Sequence, residues 1–348
     1  MPKGVLHAQR SVMGREPSRK YWLGLTSADI VMHTDNICWT YSLMTGFLDP
    51  LAEGATTLIY IGYHRFSEEE ISAQLWLQLI GHYQVTVMAS SPEVYQAILD
   101  AENLSVYKIP SLRLAASAGS PLSNNTQKRW QQQFHMPIYL ALGMTELSTF
   151  ISTSASVPLR KNTIGKIQPG RKVTILPLEH GFEPLGINTI GMLAIHKTEL
   201  GFMLGYVNED KNNKKYYRGD WFLTQDLVSW DAEDYIIYHG RADNLLDIAG
   251  YRVSPIEVEN ILLEYEAVEE AACIAEWDLL SETNLLVAYI VSKQVGPITA
   301  EKIRIWTSEH LIDYKIPRKI YFVRKLPRNK RGKLIRSALK ELQPIDDG

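Results

Sequence analysis

From Arg113 the chain runs apolar through RLAASAG, turns polar and helix-forming over roughly Ser123 to Phe134, and becomes apolar again at IYLAL before Gly143. A strand, a helix and a second strand in that order predict a βαβ unit with two parallel strands. Its strand exits are Gly119-Ser120-Pro121 and Gly143-Met144-Thr145-Glu146. Ligands of open α/β sheets sit beyond the carboxyl ends of strands, so two neighbouring exits can share a pocket.

Between Ile164 and Tyr238 the apolar runs shorten to KVTILP, GMLAIH and WFLTQD, cut by Gly, Pro and Asn, which predicts several antiparallel strands. The lysine-rich stretch Asp210 to Lys215 reads as a solvated loop. Farther on, Ser254 as N-cap, Pro255 in the first turn and Glu257 three residues after the cap predict a capping box. Val258, Ile261, Leu262 and Tyr265 then repeat at helical spacing. LLVAYIVS and IYFV predict strands, Ala300 to Leu311 a helix, and Ile335, Ala338, Leu339 and Leu342 a final amphipathic helix. The expected fold class is α/β. A large region, 1–242, holds an α/β sheet to about residue 160 and a β-rich part after it, and a small α+β domain covers 243–348. No fixed-period repeat is present, which sets aside solenoids and propellers.

Composition narrows the function classes. With 45% hydrophobic and 22% charged residues the chain is an ordinary globular one, and 348 residues suit two or more domains. A net charge of -3 gives no global attraction to nucleic acid or to an anionic membrane. Cys38 and Cys273 are too few for a disulfide framework or a cysteine metal cluster, so a reducing compartment, the cytoplasm, is expected. Neither a signal-peptide core nor an apolar stretch of spanning length is present, so no membrane span is expected.

Charge is concentrated locally instead. Ten basic residues and no acidic one lie between Arg318 and Lys340, a field that suits a phosphate-rich small molecule better than nucleic acid, for which no motif is present. Within it, Lys333 follows a Gly-containing turn in LPRNKRGKL and can project from a loop; an exposed surface lysine is the plainer reading. Thr145 and Glu146 offer a hydroxyl and a hard carboxylate, donors that suit Mg²⁺ held partly by substrate phosphates. Taken singly, a Thr-Glu pair after a glycine is most often structural.

Together these residues form a pattern. The chain resembles the adenylate-forming superfamily, most closely its acyl- and aryl-CoA ligases, over nearly its whole length. The motifs stand in family order: PKG from Pro2, SAGSPL from Ser117, GMTE from Gly143, LTQD from Leu223, GRADNLLDIAGYRVSPIEVE from Gly240 and PRNKRGK from Pro327. The resemblance implies an adenylate-forming core with a mobile C-terminal domain. It also implies an enzyme that uses ATP and Mg²⁺ to turn a fatty or aromatic carboxylic acid into acyl-AMP and then transfers the acyl group to CoA. By the same resemblance Gly119, Ser120 and Pro121 line the adenine pocket, and Thr145 and Glu146 meet phosphate and Mg²⁺. Asp226 grips the ribose, Arg241 lies near ribose and α-phosphate, Asp243 is the hinge, Gly250 lines the CoA tunnel, and Lys333 bridges carboxylate and ATP. Trp39 matches an aromatic at the mouth of the acid pocket, a buried core tryptophan being the equal alternative.

The sequence also departs from the family. The Ser/Thr/Gly-rich phosphate loop that precedes Pro-Lys-Gly, and the N-terminal lobe before it, are not in the sequence. A start codon placed too late is the preferred origin, beside a split gene whose second chain supplies the lobe and a decayed remnant. Leu142 stands at an adenine-stacking aromatic position, Cys38 at a glycine, and Gln225 at the glycine before Asp226, while Asn244 and Asp247 replace a common Asp and Lys. His33, His64 and His135 have no telling neighbours and are expected to be satisfied or surface histidines. Two other readings stand beside the ligase: a non-catalytic nucleotide or CoA binder, and an adenylation enzyme that loads a carrier protein.

Overall fold

The computed structural model describes residues 3–61, 72–207, 216–293, 299–329 and 334–345. The chain divides into two compact units, Met1–Thr224 with Ser229–Ile237, and Gln225–Val228 with Tyr238–Gly348.

The first unit opens with strand β1 (Val5–Leu6), helical turn α1 (Arg10–Met13), strand β2 (Ile30–His33), helical turns α2 (Thr40–Leu43) and α3 (Asp49–Ala52), and strand β3 (Thr56–Leu58). Helices and strands then alternate: α4 (Ala73–Tyr83), β4 (Val87–Ser90), α5 (Pro92–Leu99), β5 (Leu114–Ala118), α6 (Asn124–Phe134), β6 (Ile138–Met144), followed by β7 (Ser148–Ser152) and β8 (Lys166–Ile167). These strands form one seven-stranded sheet in the order β3-β2-β4-β5-β6-β7-β8. It is parallel from β3 to β6 and antiparallel from β6 to β8.

A parallel sheet needs cover on both faces, and strand alternation sends neighbouring residues to opposite sides. Met88 and Ala115 face a cluster with Trp76, Ile80, Tyr95, Ile98 and Trp130 of α4, α5 and α6. Val87, Ala89, Leu114, Ala116 and Ala118 face the other way, onto Trp22, Leu23 and Tyr41. The predicted βαβ unit is β5-α6-β6, with Ser123 serving as N-cap: its side chain accepts a hydrogen bond from the Thr126 amide at 3.0 Å.

After this sheet, β9 (Val173–Leu176) and β10 (Gly191–His196) pair antiparallel, as the pattern predicts. β11 (Gly205–Tyr206) pairs instead with β1, in register Val5 to Tyr206 and Leu6 to Gly205. β12 (Tyr217–Arg218) pairs with β13 (Trp221–Trp230). The Asp210 to Lys215 stretch lies outside the described residues.

β14 (Ile236–Arg241) leads into the second unit, which continues with β15 (Leu246–Ile248), β16 (Tyr251–Val253), α7 (Pro255–Glu264), β17 (Val268–Asp278), β18 (Thr283–Ser292), α8 (Ala300–His310) and β19 (Lys319–Phe322). β17, β18 and β19 form a sheet. On one face Leu286, Ala288 and Ile290 pack with Val258, Leu262 and Ile303 of the helices. On the other, Val287, Tyr289 and Val291 pack with Val323, Leu326 and Leu339.

Two sequence expectations change here. The capping box is half made: Ser254 Oγ accepts from the Glu257 amide at 3.4 Å, but the Glu257 carboxylate takes the Lys315 ammonium at 2.6 Å instead of turning back. A tertiary ion pair has displaced the local bond. The expected final helix is a short 3₁₀ segment, Arg336–Glu341. Leu339 is its one fully buried side chain while Ile335 is exposed, so no continuous apolar stripe is available to stabilise a longer helix. Among the described residues no helix is long and apolar enough to cross a membrane.

Candidate active site

Gly119 ends β5 with φ at +95°, a conformation that side-chain-bearing residues avoid. An ideal Cβ there would lie 2.5 Å from Cη2 of Trp39, so the indole edge rests directly on the glycine. Trp39 is half-buried and meets Tyr41 edge to face, with centroids 5.2 Å apart. These groups, with Gly143, Thr145 and Thr149, line a cavity of about 150 Å³. Trp39 therefore lines this cavity while it also packs against the buried cluster of Trp22, Leu23 and Tyr41. Ser120 and Pro121 do not line this cavity: Ser120 Oγ donates to Glu93 at 3.2 Å, and Pro121 is exposed. Gly119→Ala adds a methyl group where the indole sits, in a backbone conformation alanine resists, and overpacking of this kind typically costs ~1 to 3 kcal/mol. We expect AMP affinity, measured by titration calorimetry, to fall about tenfold; an unchanged affinity would separate this wall from nucleotide binding.

The second exit does not open into a loop as the sequence suggested. β6 runs through Met144 and turns at once into antiparallel β7, with a register shift between Leu142 and Gly143. A Cβ on Gly143 would lie 2.8 Å from the Ser148 carbonyl oxygen, so glycine is required for this close approach. The intervening turn is held from outside. The Thr145 carbonyl accepts from His7 Nε2 at 2.7 Å, the Glu146 carbonyl from the Met203 amide at 2.9 Å, and Glu146 Oε1 from Tyr206 Oη at 2.6 Å. Lys3 Nζ lies 4.6 Å from the Tyr206 ring centroid and 4.0 Å from that of Tyr216. Sequence reasoning missed His7, Tyr206 and Tyr216, because their partners lie 60 to 213 positions away and no spacing announces them.

Buried polar groups underlie the site. The Thr149 carbonyl accepts from Ser18 Oγ at 2.8 Å and from Arg171 Nη2 at 2.7 Å. Arg171 also reaches the Gly14 carbonyl at 2.6 Å and Glu199 at 3.2 Å, and burial pushes its guanidinium down to about 10. His33 is buried and not a surface group; burial lowers it to about 3, so it is neutral, and its Nε2 has no hydrogen-bond partner among the described residues. His135 caps the end of α6 with φ at +57°, and His64 lies outside the described residues.

Beside His33, Asp35 accepts from the amide and hydroxyl of Ser91, both at 3.0 Å. Burial, with a smaller contribution from Glu93, raises it to about 6. A carboxyl raised in the folded state favours folding below its unfolded value and loses that advantage as pH rises through the folded one. Stability therefore declines between about pH 4 and 6, by on the order of 2 to 3 kcal/mol from this group. Asp35→Asn should flatten that part of the stability–pH profile measured by urea unfolding. A profile of unchanged shape would refute the assignment.

In the second unit, Asp226 and Arg241 lie together. Arg241 Nη1 lies 3.5 Å from Asp226, and its Nε and Nη2 both donate to Asp243 at 2.9 Å. Tyr238, another residue the sequence did not flag, donates to Asp226 at 3.1 Å. Gln225 carries φ at +70°, so the backbone keeps the left-handed conformation at this position although a glutamine occupies it. Gly250, with φ at +83°, turns β15 into β16 and donates its amide to Asp247 at 3.0 Å. Lys333 lies outside the described residues.

Residues 1–207 match the AMP-binding enzyme family and 257–333 its C-terminal domain. The chain belongs to the AMP-binding enzyme family, with the adenylate-forming fold. Among its relatives, an uncharacterised acyl-CoA ligase, YtcI of Bacillus subtilis, is 29% identical over 98% of this chain and 63% of its own length. A benzoate CoA ligase from Burkholderia xenovorans superposes with a TM-score of 0.80 at 27% identity, covering 97% of this chain and 66% of the ligase. The anthranilate CoA ligase AuaEII, solved with anthranoyl-AMP, gives a TM-score of 0.80 at 26% identity, covering 98% and 64%. The chain thus spans somewhat less than two thirds of the curated relative it matches.

Proposed function

We propose that the chain carries the nucleotide- and thiol-handling residues of an ATP-dependent acid–thiol ligase that forms an acyl- or aryl-AMP and passes the acyl group to CoA. One observation carries this reading: Trp39, Gly119, Gly143 and Thr145, drawn from three separated segments, line one cavity at the carboxyl ends of β5 and β6. Its relatives named as CoA ligases, and one solved with an acyl-adenylate, support the reaction class.

In the first step a carboxylate oxygen attacks the α-phosphorus of ATP and pyrophosphate leaves; in the second a thiol sulfur attacks the acyl carbonyl and AMP leaves. The first brings anions together, so fixed positive charge lowers its barrier. Lys333 supplies that charge between carboxylate and α-phosphate, and Arg241 adds to it. Thr145 donates its hydroxyl to a phosphate oxygen, Asp226 accepts from the ribose hydroxyls, and the bare backbone at Gly119, with Ser120 and Pro121 beside it, lies against the adenine. Trp39 borders the acid. Asp243 is the pivot between the two steps, at the start of a C-terminal domain covering 243–348, and Gly250 borders the pantetheine.

The residues fit Mg²⁺. Glu146 offers a hard carboxylate next to the Thr145 hydroxyl, and among the described residues no cluster of three ligating side chains forms a resident cage, as suits a metal that arrives on nucleotide phosphates. When bound, the ion neutralises phosphate charge; Glu146 is the residue that would hold it. Both cysteines are free thiols, which supports a reducing compartment such as the cytoplasm.

Pyrophosphate release from ATP with a panel of short, fatty and aromatic acids tests the proposal, with CoA or a carrier protein then supplied as acceptor. AMP binding without pyrophosphate release from any acid would replace the ligase with a non-catalytic binder, and acyl transfer to carrier but not to CoA would replace the acceptor.

A further inference from the structure

The turn that bears Thr145 and Glu146 is gripped by an element outside the sheet that contains it. β1 and β11 form a two-stranded ribbon of their own, closed by bonds from the Leu204 amide to the Leu6 carbonyl and from the Val207 amide to the Gly4 carbonyl, both at 2.7 Å. His7 directly follows β1, Tyr206 lies on β11, and Met203 precedes it by two residues. Pairing therefore aligns three donors on one short ribbon, and all three act on two consecutive residues: His7 on the Thr145 carbonyl, Met203 on the Glu146 carbonyl, and Tyr206 on the Glu146 carboxylate.

We propose that His7 and Tyr206 are positioning residues that fix the Thr145–Glu146 turn for the phosphates of a nucleotide and their cation. The proposal rests on the ligase reading and extends it to residues that touch neither ATP nor acid.

The chemistry of each contact is definite. A carbonyl oxygen only accepts, so His7 Nε2 donates in this bond, and the ring's Nδ1 has no hydrogen-bond partner among the described residues. The ring thus serves as a one-sided donor, which a glutamine amide of similar reach can replace. Tyr206 engages one carboxylate oxygen of Glu146, which limits rotation of the group and leaves its second oxygen as acceptor. The Lys3 ammonium near the face of the same phenol draws density from the ring and strengthens the hydroxyl as a donor. Because the donors share one ribbon, the turn moves only if the ribbon moves with it.

The test uses the full chain and three variants, His7→Ala, His7→Gln and Tyr206→Phe. Calorimetric titration with Mg²⁺ and ATP, pyrophosphate release and thermal unfolding are measured on each. Loss of an orienting partner to a metal-binding group typically costs about 10- to 100-fold in affinity or activity. We expect His7→Ala and Tyr206→Phe to weaken Mg²⁺-dependent ATP binding about tenfold and to lower kcat for adenylation, with KM for the acid and the unfolding temperature little changed. His7→Gln should recover to within about threefold of the wild type. Unaltered binding in His7→Ala and Tyr206→Phe overturns the proposal, and so does a loss that tracks a lowered unfolding temperature and is not recovered by His7→Gln. If the wild type binds Mg²⁺ and ATP but releases no pyrophosphate, the ligase reading falls while the binding series still decides the clamp. A wild type that binds no nucleotide overturns both.

Discussion

Lys333→Ala should slow pyrophosphate release about a hundredfold to a thousandfold while transfer of the acyl group from a supplied acyl-AMP to CoA changes less than about fivefold. Adenylation needs a fixed cation between two anions that repel, and removal of one such preorganised stabiliser costs ~3 to 4 kcal/mol. Thiol transfer breaks the acyl–phosphate bond after pyrophosphate has gone, so it lacks the same charge build-up. Lys340 is an exposed lysine of the same basic segment, and Lys340→Ala serves as the control for net charge. Equal losses in both half-reactions, or an equal loss in the control, would remove Lys333 from the role.

The largest effect on stability is expected at Asp49. Its carboxylate is wholly buried, receives Arg15 Nε at 2.8 Å and Nη2 through a second short bond, and lies 3.8 Å from Arg19. Arg15 is 1% exposed and its Nη1 has no hydrogen-bond partner among the described residues, so this cation depends on one acid for neutralisation. Asp49→Ala leaves that charge buried and uncompensated, which typically costs ~3 to 5 kcal/mol. For a unit of this size that is roughly a 10 °C fall in unfolding temperature. Replacement of both partners, Arg15→Met with Asp49→Leu, removes the charges together and should restore most of the loss, since well-packed apolar groups often match a buried pair. A double variant no more stable than Asp49→Ala would show that shape and not charge decides the site. The pair also bears on function: Arg15 anchors the segment Gly14 to Arg19 from one side while Arg171 holds the Gly14 carbonyl and Ser18 from the other, and both Ser18 and Arg171 reach Thr149 in the pocket wall.

The parts of the site legible in the sequence were those whose chemistry is local or whose motif is contiguous. Gly119 follows a strand in the sequence reading and in the fold, whereas Gly143 lies inside β6, and each is glycine for a reason visible on the backbone: a positive φ at Gly119 and the approach of the Ser148 carbonyl at Gly143. Asp226 and Arg241 were flagged separately and are joined through pairing of one unit's own elements. Ser120 was flagged with Gly119 but turns to Glu93, because a hydroxyl next to a half-buried carboxylate takes that partner.

His7, Tyr206, Arg15, Asp49 and Arg171 carried no local signal. Each is an ordinary residue in its own window, and each acquires its role from a partner at least 28 positions away. The final amphipathic helix illustrates the converse: a helical period in the sequence produced a 3₁₀ segment; Leu339 is fully buried, Leu342 packs only partly against the core and Ile335 stays exposed.

By itself the sequence determined the βαβ unit around Asn124–Phe134, the antiparallel pairing of KVTILP with GMLAIH, the cap at Ser254 and the family to which the chain belongs. Periodicity, capping and glycine conformation act within a few residues, so they are legible locally, although surroundings override them at Glu257 and in the Arg336–Glu341 segment. Tertiary structure alone decided that the indole of Trp39 closes on Gly119 across 80 positions, that a ribbon of two short strands grips Thr145 and Glu146, and that Glu257 gives its carboxylate to Lys315. Those contacts depend on sheet order and on which polar groups lose their water together, and neither quantity is a property of any one stretch of chain.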